Sequence, residues 1–172
     1  MNIAKVCCFT GHRPEALFSR DSEDEVYNGI YSAVEDAVFD GYEEFICGAC
    51  RGGDFIFGEA VIRLKESYPS LRLVCVLPFR NQAELWSNED RDRYADLLDM
   101  SDEVICLNDS FKKGCMHQRN RYMVDRSSLL IAAYNGTKGG TEYTLGYAKK
   151  KGLRIVNVLT PPCEQSAQIS FE

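Results

Sequence analysis

Three short stretches of the chain combine glycine with a cation or a hydroxyl, the residue types needed to hold an anion against the backbone. Thr10-Gly11-His12-Arg13-Pro14 leaves an apolar run through a glycine and then presents an imidazole and a guanidinium side by side. Gly11 permits a close backbone approach, and Arg13 offers a planar fork matched to phosphate or carboxylate. His12 alone decides nothing, because single histidines are mostly structural or exposed. The bland alternative is a glycine turn with two solvated side chains.

The second stretch is Gly48-Ala49-Cys50-Arg51-Gly52-Gly53-Asp54, which opens into an amphipathic segment. Backbone N–H groups of Gly52 and Gly53 at a helix entrance, with Arg51 beside them, suit an anion or a ribose. Asp54 has two readings that both stay open, as N-cap of the following helix and as partner of a sugar hydroxyl. The stretch is neither GxGxxG nor a P-loop ending in GK[ST]. The third, Asn135-Gly136-Thr137-Lys138-Gly139-Gly140-Thr141-Glu142, is the strongest phosphate cradle of the three. Gly139 and Gly140 admit a ligand closely, and Thr141 can cap a helix and donate its hydroxyl. Glu142 suits the positive end of a helix, but beside a phosphate it must turn away or engage a hydroxyl. A fourth segment, Met116–Asp125, carries Arg119 and Asn120, read either as ligand contacts or as part of an exposed basic helix; Asp125 is read as organising the turn that follows. An aromatic near a nucleotide cleft can stack on a base, but Phe79 and Trp86 are read as core or lid packing residues.

These groups need elements to aim them. Six short apolar runs, 5–10, 44–49, 71–77, 103–107, 128–134 and 153–158, have strand length and no polar alternation, as strands covered on both faces do. Helical stripes lie between them, among them Val26, Ile30, Val34, Ala37 and Val38, then Phe57, Ala60, Val61, Leu64 and Tyr68. The alternation predicts an α/β fold, Rossmann-like and doubly wound, with a mainly parallel sheet of about six strands and helices on both faces. Residues 1–160 are expected to form a single domain and 161–172 a surface C-terminal tail. In such a fold, ligands gather beyond the carboxyl ends of the strands, and all three glycine stretches follow predicted strands.

With 45% apolar and 27% charged residues in 172, the composition is that of a globular chain. The net charge of −6 argues against a non-specific nucleic-acid coat and makes nucleic acid an unexpected partner, a local basic cleft being the one arrangement it leaves open. No apolar run reaches membrane-spanning length, and the start lacks the pattern of a signal peptide, so a cytoplasmic location is expected. Cys47 and Cys50 have the spacing of a zinc or redox pair, but no second pair or spaced histidine joins them; reduced, metal-free cysteines are expected.

The motifs TGHRP, GACRGGD, PF with Gln82 and Trp86, RNRYMVDRSSLLIAAY and GGTEYTLGYA, in this order over residues 5–158, resemble the YpsA-like branch of the SLOG superfamily. That superfamily includes the DNA-processing protein A proteins and the LOG-type phosphoribohydrolases. The resemblance implies a Rossmann-like domain with a nucleotide-type site formed by Gly11, Arg51, Gly52, Gly53, Asp54, Gly139, Gly140 and Thr141, and it implies a homodimer. LOG-type enzymes carry PGGxGTxxE, with a glutamate three residues after the threonine. Here Thr144 takes that place and Glu142 is displaced towards the glycines. The expected function is therefore regulatory, the binding or sensing of a nucleotide-derived small molecule, ADP-ribose-like or another nucleotide, without a cofactor; catalysis stays open, because the LOG-type glutamate is not at its expected position. The alternatives are a LOG-like N-glycosidase and a protein-interaction domain with a vestigial pocket.

Overall fold

In the computed structural model, which describes residues 5–159, six strands form one parallel sheet. The strands are β1 (Val6–Gly11), β2 (Glu44–Cys47), β3 (Arg72–Leu77), β4 (Glu103–Cys106), β5 (Leu129–Ala133) and β6 (Arg154–Asn157). The helices are α1 (Pro14–Leu17), α2 (Glu23–Phe39), α3 (Gly53–Lys65), α4 (Asn88–Met100), α5 (Cys115–Asp125) and α6 (Gly140–Lys150). The expected α/β class, strand number and parallel pairing are all present. The expected tail at 161–172 lies outside the described residues.

Strand order is β4-β3-β2-β1-β5-β6. The chain builds outward from β1 through β2 and β3 to β4, then returns to lay β5 on the other side of β1. Because parallel crossovers are right-handed, reversing the direction of travel sends the connecting helices to the opposite face. Accordingly α2, α3 and α4 pack against Phe9, Phe45, Leu73 and Ile131 on one face. On the other, α5 and α6 cover Cys8, Ile46, Val74, Val76, Leu130 and Ala132. Each strand thus alternates between two apolar cores, which explains its uninterrupted apolar run. The exceptions are the two edge strands: β4, with Glu103, Val104 and Cys106 exposed, and β6, with Arg154 exposed and its other residues half-buried.

The reversal leaves a crevice between β1 and β5, which pair in register from Cys7↔Leu129 to Gly11↔Ala133. Adjacent strands there send their helices to opposite faces, so no connection closes over their carboxyl ends. Both the Gly11-His12-Arg13 turn and the loop into α6 leave from this point.

Candidate functional site

A cavity of about 410 Å³ opens at the crevice, within the usual range for small-molecule sites. Its walls include Gly11, His12 and Arg13 after β1, Asp54 in α3, Arg119 and Asn120 in α5, and Gly139, Gly140 and Thr141 at the start of α6. Nine of the residues singled out in the sequence therefore meet around one space. Arg51, Gly52, Gly53 and Glu142 are not among its lining residues.

The reasons are local. Gly52 adopts φ +91, and a Cβ there would lie 2.6 Å from the His12 carbonyl oxygen. A Cβ on Gly53 would lie 2.9 Å from the Phe9 ring. These two glycines let α3 enter tightly against the end of β1, where the Gly53 N–H donates to the His12 carbonyl at 3.3 Å. Arg51 pairs with Glu15 at 3.2 Å and Asp90 at 3.8 Å on the outer side. Glu142 is exposed on α6. Asp54 does not cap α3, whose N-cap is Gly52. Its carboxylate instead accepts the Cys50 N–H at 3.0 Å, folding the loop back on itself.

Arg119 is not on an exposed face. It is buried, donating from Nη1 to the carbonyls of Gly48 at 2.9 Å and Val76 at 3.4 Å, and from Nε to Asn120 Oδ1 at 2.8 Å. The guanidinium thereby ties the ends of β2 and β3 to α5. Gly48 is required for this, since a Cβ there would sit 2.3 Å from Nη1. Burial opposes the Arg119 charge, but neighbouring Cys50 and Asp54 outweigh it and raise its pKa. Burial likewise raises the Asp54 carboxyl, against the pull of Arg119 and the Cys50 N–H.

His12 is buried and accepts the Asn135 N–H at Nε2, 3.2 Å away. A nitrogen that accepts is unprotonated, so the neutral ring is the form that fits, and burial holds its pKa below the ordinary 6.5. Asn135 also donates from Nδ2 to the Ala16 carbonyl at 2.7 Å and accepts the Thr137 N–H at 3.1 Å. It fastens the loop before α6 to the turn after β1.

The α6 entrance is built differently from that of α3. Gly139 is the N-cap, at φ 151 and ψ −154, a conformation glycine alone adopts readily. A Cβ on Gly139 or Gly140 would meet nothing within 4 Å. Packing does not require these glycines to be small; they leave room on the cavity side. Thr141 is buried beside them, and Thr144 donates its hydroxyl to the Gly140 carbonyl at 2.8 Å.

Sequence reasoning missed Gly48, Asn135, Cys50, Met116, His117 and Lys138, the last four of which also line the cavity. Gly48 and Asn135 act by holding other residues, and nothing in their types announces it. Cys47 and Cys50 diverge: Cys47 Sγ lies 4.0 Å from Cys75 Sγ, while Cys50 Sγ accepts from Arg119 Nη2 at 3.5 Å. Among the described residues no helix is long and apolar enough to cross a membrane.

The model of the YspA SLOG family matches residues 7–157. The SPbeta prophage-derived protein YoqJ of Bacillus subtilis (strain 168) is 32% identical over 118 residues, covering 62% of this chain and 69% of its own. A UPF0398 protein of Halalkalibacterium halodurans is 30% identical, covering 86% of this chain and 82% of its own. UPF0398 protein YpsA of Bacillus subtilis (strain 168) is 26% identical, with 86% of each chain covered. Among solved structures, DNA processing protein A from Helicobacter pylori, described for its single-stranded DNA binding mode, aligns with a TM-score of 0.63 at 14% identity. The alignment covers 98% of this chain and 74% of that one. DNA processing protein A from Streptococcus pneumoniae aligns at 0.64 and 13% identity, over 96% of this chain and 56% of that one. These two likenesses concern the fold. They nevertheless overturn the exclusion of nucleic acid drawn from net charge, because the Helicobacter pylori protein, which contains this fold, is a single-stranded DNA binder. Total charge is a poor guide to a local surface: here Arg13, Arg119 and Lys138 line the cavity against the carboxylate of Asp54.

Proposed function

The chain belongs to the YspA SLOG family, and from that premise and the cavity we propose that it binds a nucleotide-derived small anion. The phosphate lies at the α6 entrance, against the N–H groups of Gly140 and Thr141 and the positive end of the helix. Arg13 and Lys138 add charge from the rim. Asp54 accepts a sugar hydroxyl, its carboxylate held in place by the Cys50 N–H. The observation that carries this reading is the open space where Cβ atoms on Gly139 and Gly140 would stand, at a helix start facing a cavity that contains a buried guanidinium.

That observation also gives the test. Gly140→Ala creates no clash in the fold, and alanine in a helix is favoured over glycine by about 0.5–1 kcal/mol. The variant is expected to melt no lower than the wild type while losing at least about tenfold in affinity for nucleoside monophosphates and ADP-ribose by calorimetry. Equal affinity in the two proteins, or no heat from any of these compounds with the folded wild type, refutes the reading.

A LOG-like hydrolysis would have to use Asp54, because Glu142 stands outside the cavity and Thr144 is buried against the helix backbone. Base release from nucleoside monophosphates that disappears in Asp54→Asn distinguishes that activity from binding. Single-stranded DNA is the second reading, favoured by the exposed Phe111 followed by Lys112 and Lys113; stacking plus cationic contacts is how such strands are held. Steeply salt-dependent binding of a labelled oligonucleotide would support it.

A further inference from the structure

A smaller cavity of about 170 Å³ adjoins the main one, and the two share Arg13, Cys50 and Met116 as walls. Its remaining walls are Phe79, Gln82, Trp86 and Phe111. Resting on the reading above, we propose that this annex is the base subsite: the ligand lays its nucleobase against Phe79 and Phe111, while its phosphate sits at Gly139 and Gly140.

Size, composition and rigidity support the assignment. The annex is below the volume of an ordinary ligand site, so it takes one end of a molecule whose remainder occupies the larger cavity. The main cavity carries the charged groups of Arg119, Lys138 and Asp54, whereas the annex walls include two phenylalanines, a tryptophan and a methionine, surfaces that favour a flat aromatic group. Phe111 is 66% exposed, and its ring meets that of Phe79 edge-on, with centroids 5.5 Å apart at 85°. An exposed Phe111 ring against a half-buried Phe79, beside a cavity with charged walls, leaves apolar area uncovered that a stacked base would cover. The walls are also tied together before any ligand arrives. Asn108 donates to the Pro78 carbonyl at 2.8 Å, the Arg80 N–H to the Asn108 carbonyl at 3.1 Å, and Arg80 pairs with Asp109 at 3.0 Å. The loop carrying Phe111 is thereby fixed to the one carrying Phe79. Gln82, the amide in the annex wall, donates to the Gly48 and Ala49 carbonyls at 3.1 and 3.4 Å and accepts from the Cys50 thiol at 3.6 Å, so both ends are engaged with the fold, and stacking dominates base recognition.

The test compares adenosine monophosphate with ribose 5-phosphate by calorimetry, in the wild type, Phe111→Ala and Phe111→Leu. Because base–aromatic stacking is lost on removing the ring, Phe111→Ala is expected to weaken adenosine monophosphate about tenfold or more and to leave ribose 5-phosphate unchanged. Phe111→Leu keeps an apolar wall and is expected to fall between the two. If both compounds bind the wild type with equal affinity, or Phe111→Ala weakens neither, the base lies elsewhere while the phosphate reading stands. If adenosine monophosphate does not bind, the annex assignment falls; if no other nucleoside monophosphate and no ADP-ribose binds either, the phosphate reading falls with it. Binding of a single-stranded oligonucleotide that depends on Phe111, without binding of the mononucleotide, overturns the small-molecule occupant in favour of a strand.

Discussion

At the scale of single residues, the site is held by polar groups whose partners are other parts of the protein. His12 shows the consequence for pH. The neutral ring is the form that accepts the Asn135 N–H, and burial depresses its folded pKa below 6.5. Between that depressed value and 6.5 the unfolded chain binds more protons at this position than the folded one, so stability rises with pH across the window. It is fully present above 6.5, is lost as pH falls below it, and levels off beneath the folded pKa. His12→Gln retains an acceptor without a titration in this range. Urea unfolding at pH 7.5 and 5.5 is expected to show a smaller pH-dependent loss in His12→Gln than in the wild type; parallel losses would remove His12 from the account. In the sequence, the histidine gave no such hint, because its partner stands 123 positions away. The glycines were legible as a class but not individually. Gly52 and Gly140 look alike in a string, yet one makes room for the His12 carbonyl and the other for open space. A missing Cβ records closeness to something, and sequence does not say whether that something is backbone or guest.

At the scale of elements, the strands were legible for a definite reason. A parallel strand between two helical layers has no solvent face, so runs such as 71–77 carry no polar alternation and stand out. The same signal at 103–107 marked β4 as a strand but concealed its place at the edge, since an apolar run resembles a covered strand even where the covering is incomplete. The helices are set by their own ends. Ser22 caps α2 by accepting the Glu25 N–H at 3.2 Å, while the Glu25 carboxylate accepts the Ser22 N–H at 3.3 Å. Reciprocal satisfaction of this kind fixes where the helix starts. Ser22→Ala is expected to cost about 1 kcal/mol, lowering the melting temperature by about 2–4 °C for a chain of this size. Since α2 contributes no wall to the cavity, affinity for nucleoside monophosphates should be unchanged. A loss of affinity in a folded Ser22→Ala protein would mean that α2 and the site are coupled through the core.

At the scale of the whole molecule, strand order decides that there is a site at all, and strand order is what a single sequence withholds. Six apolar runs are compatible with many arrangements; the crevice exists because β5 returns to lie beside β1. That adjacency joins residues 10–13 to residues 135–141, with α5 supplying Arg119 from the β4–β5 crossover. A guest in the cavity must therefore touch segments far apart in the chain and protect them together. Binding at 100 times the dissociation constant stabilises the folded state by about 2.7 kcal/mol, which for this length corresponds to a rise of about 5–10 °C in melting temperature. The rise alone would not locate the guest, since binding anywhere on the folded protein produces it. Amide exchange supplies the location: with adenosine monophosphate present, peptides covering 10–16, 115–121 and 137–144 should slow in concert, while α2 and β6 follow the global stability. At the same ligand concentration Gly140→Ala should shrink the concerted change and the thermal shift together, a tenfold weaker affinity leaving about 1.4 kcal/mol of the stabilisation. Protection centred instead on α2 and β6, where a separate cavity of about 270 Å³ is lined by Gly29, Asp36 and Arg154, would move the binding site to the far side of the sheet and detach it from the β1–β5 crevice.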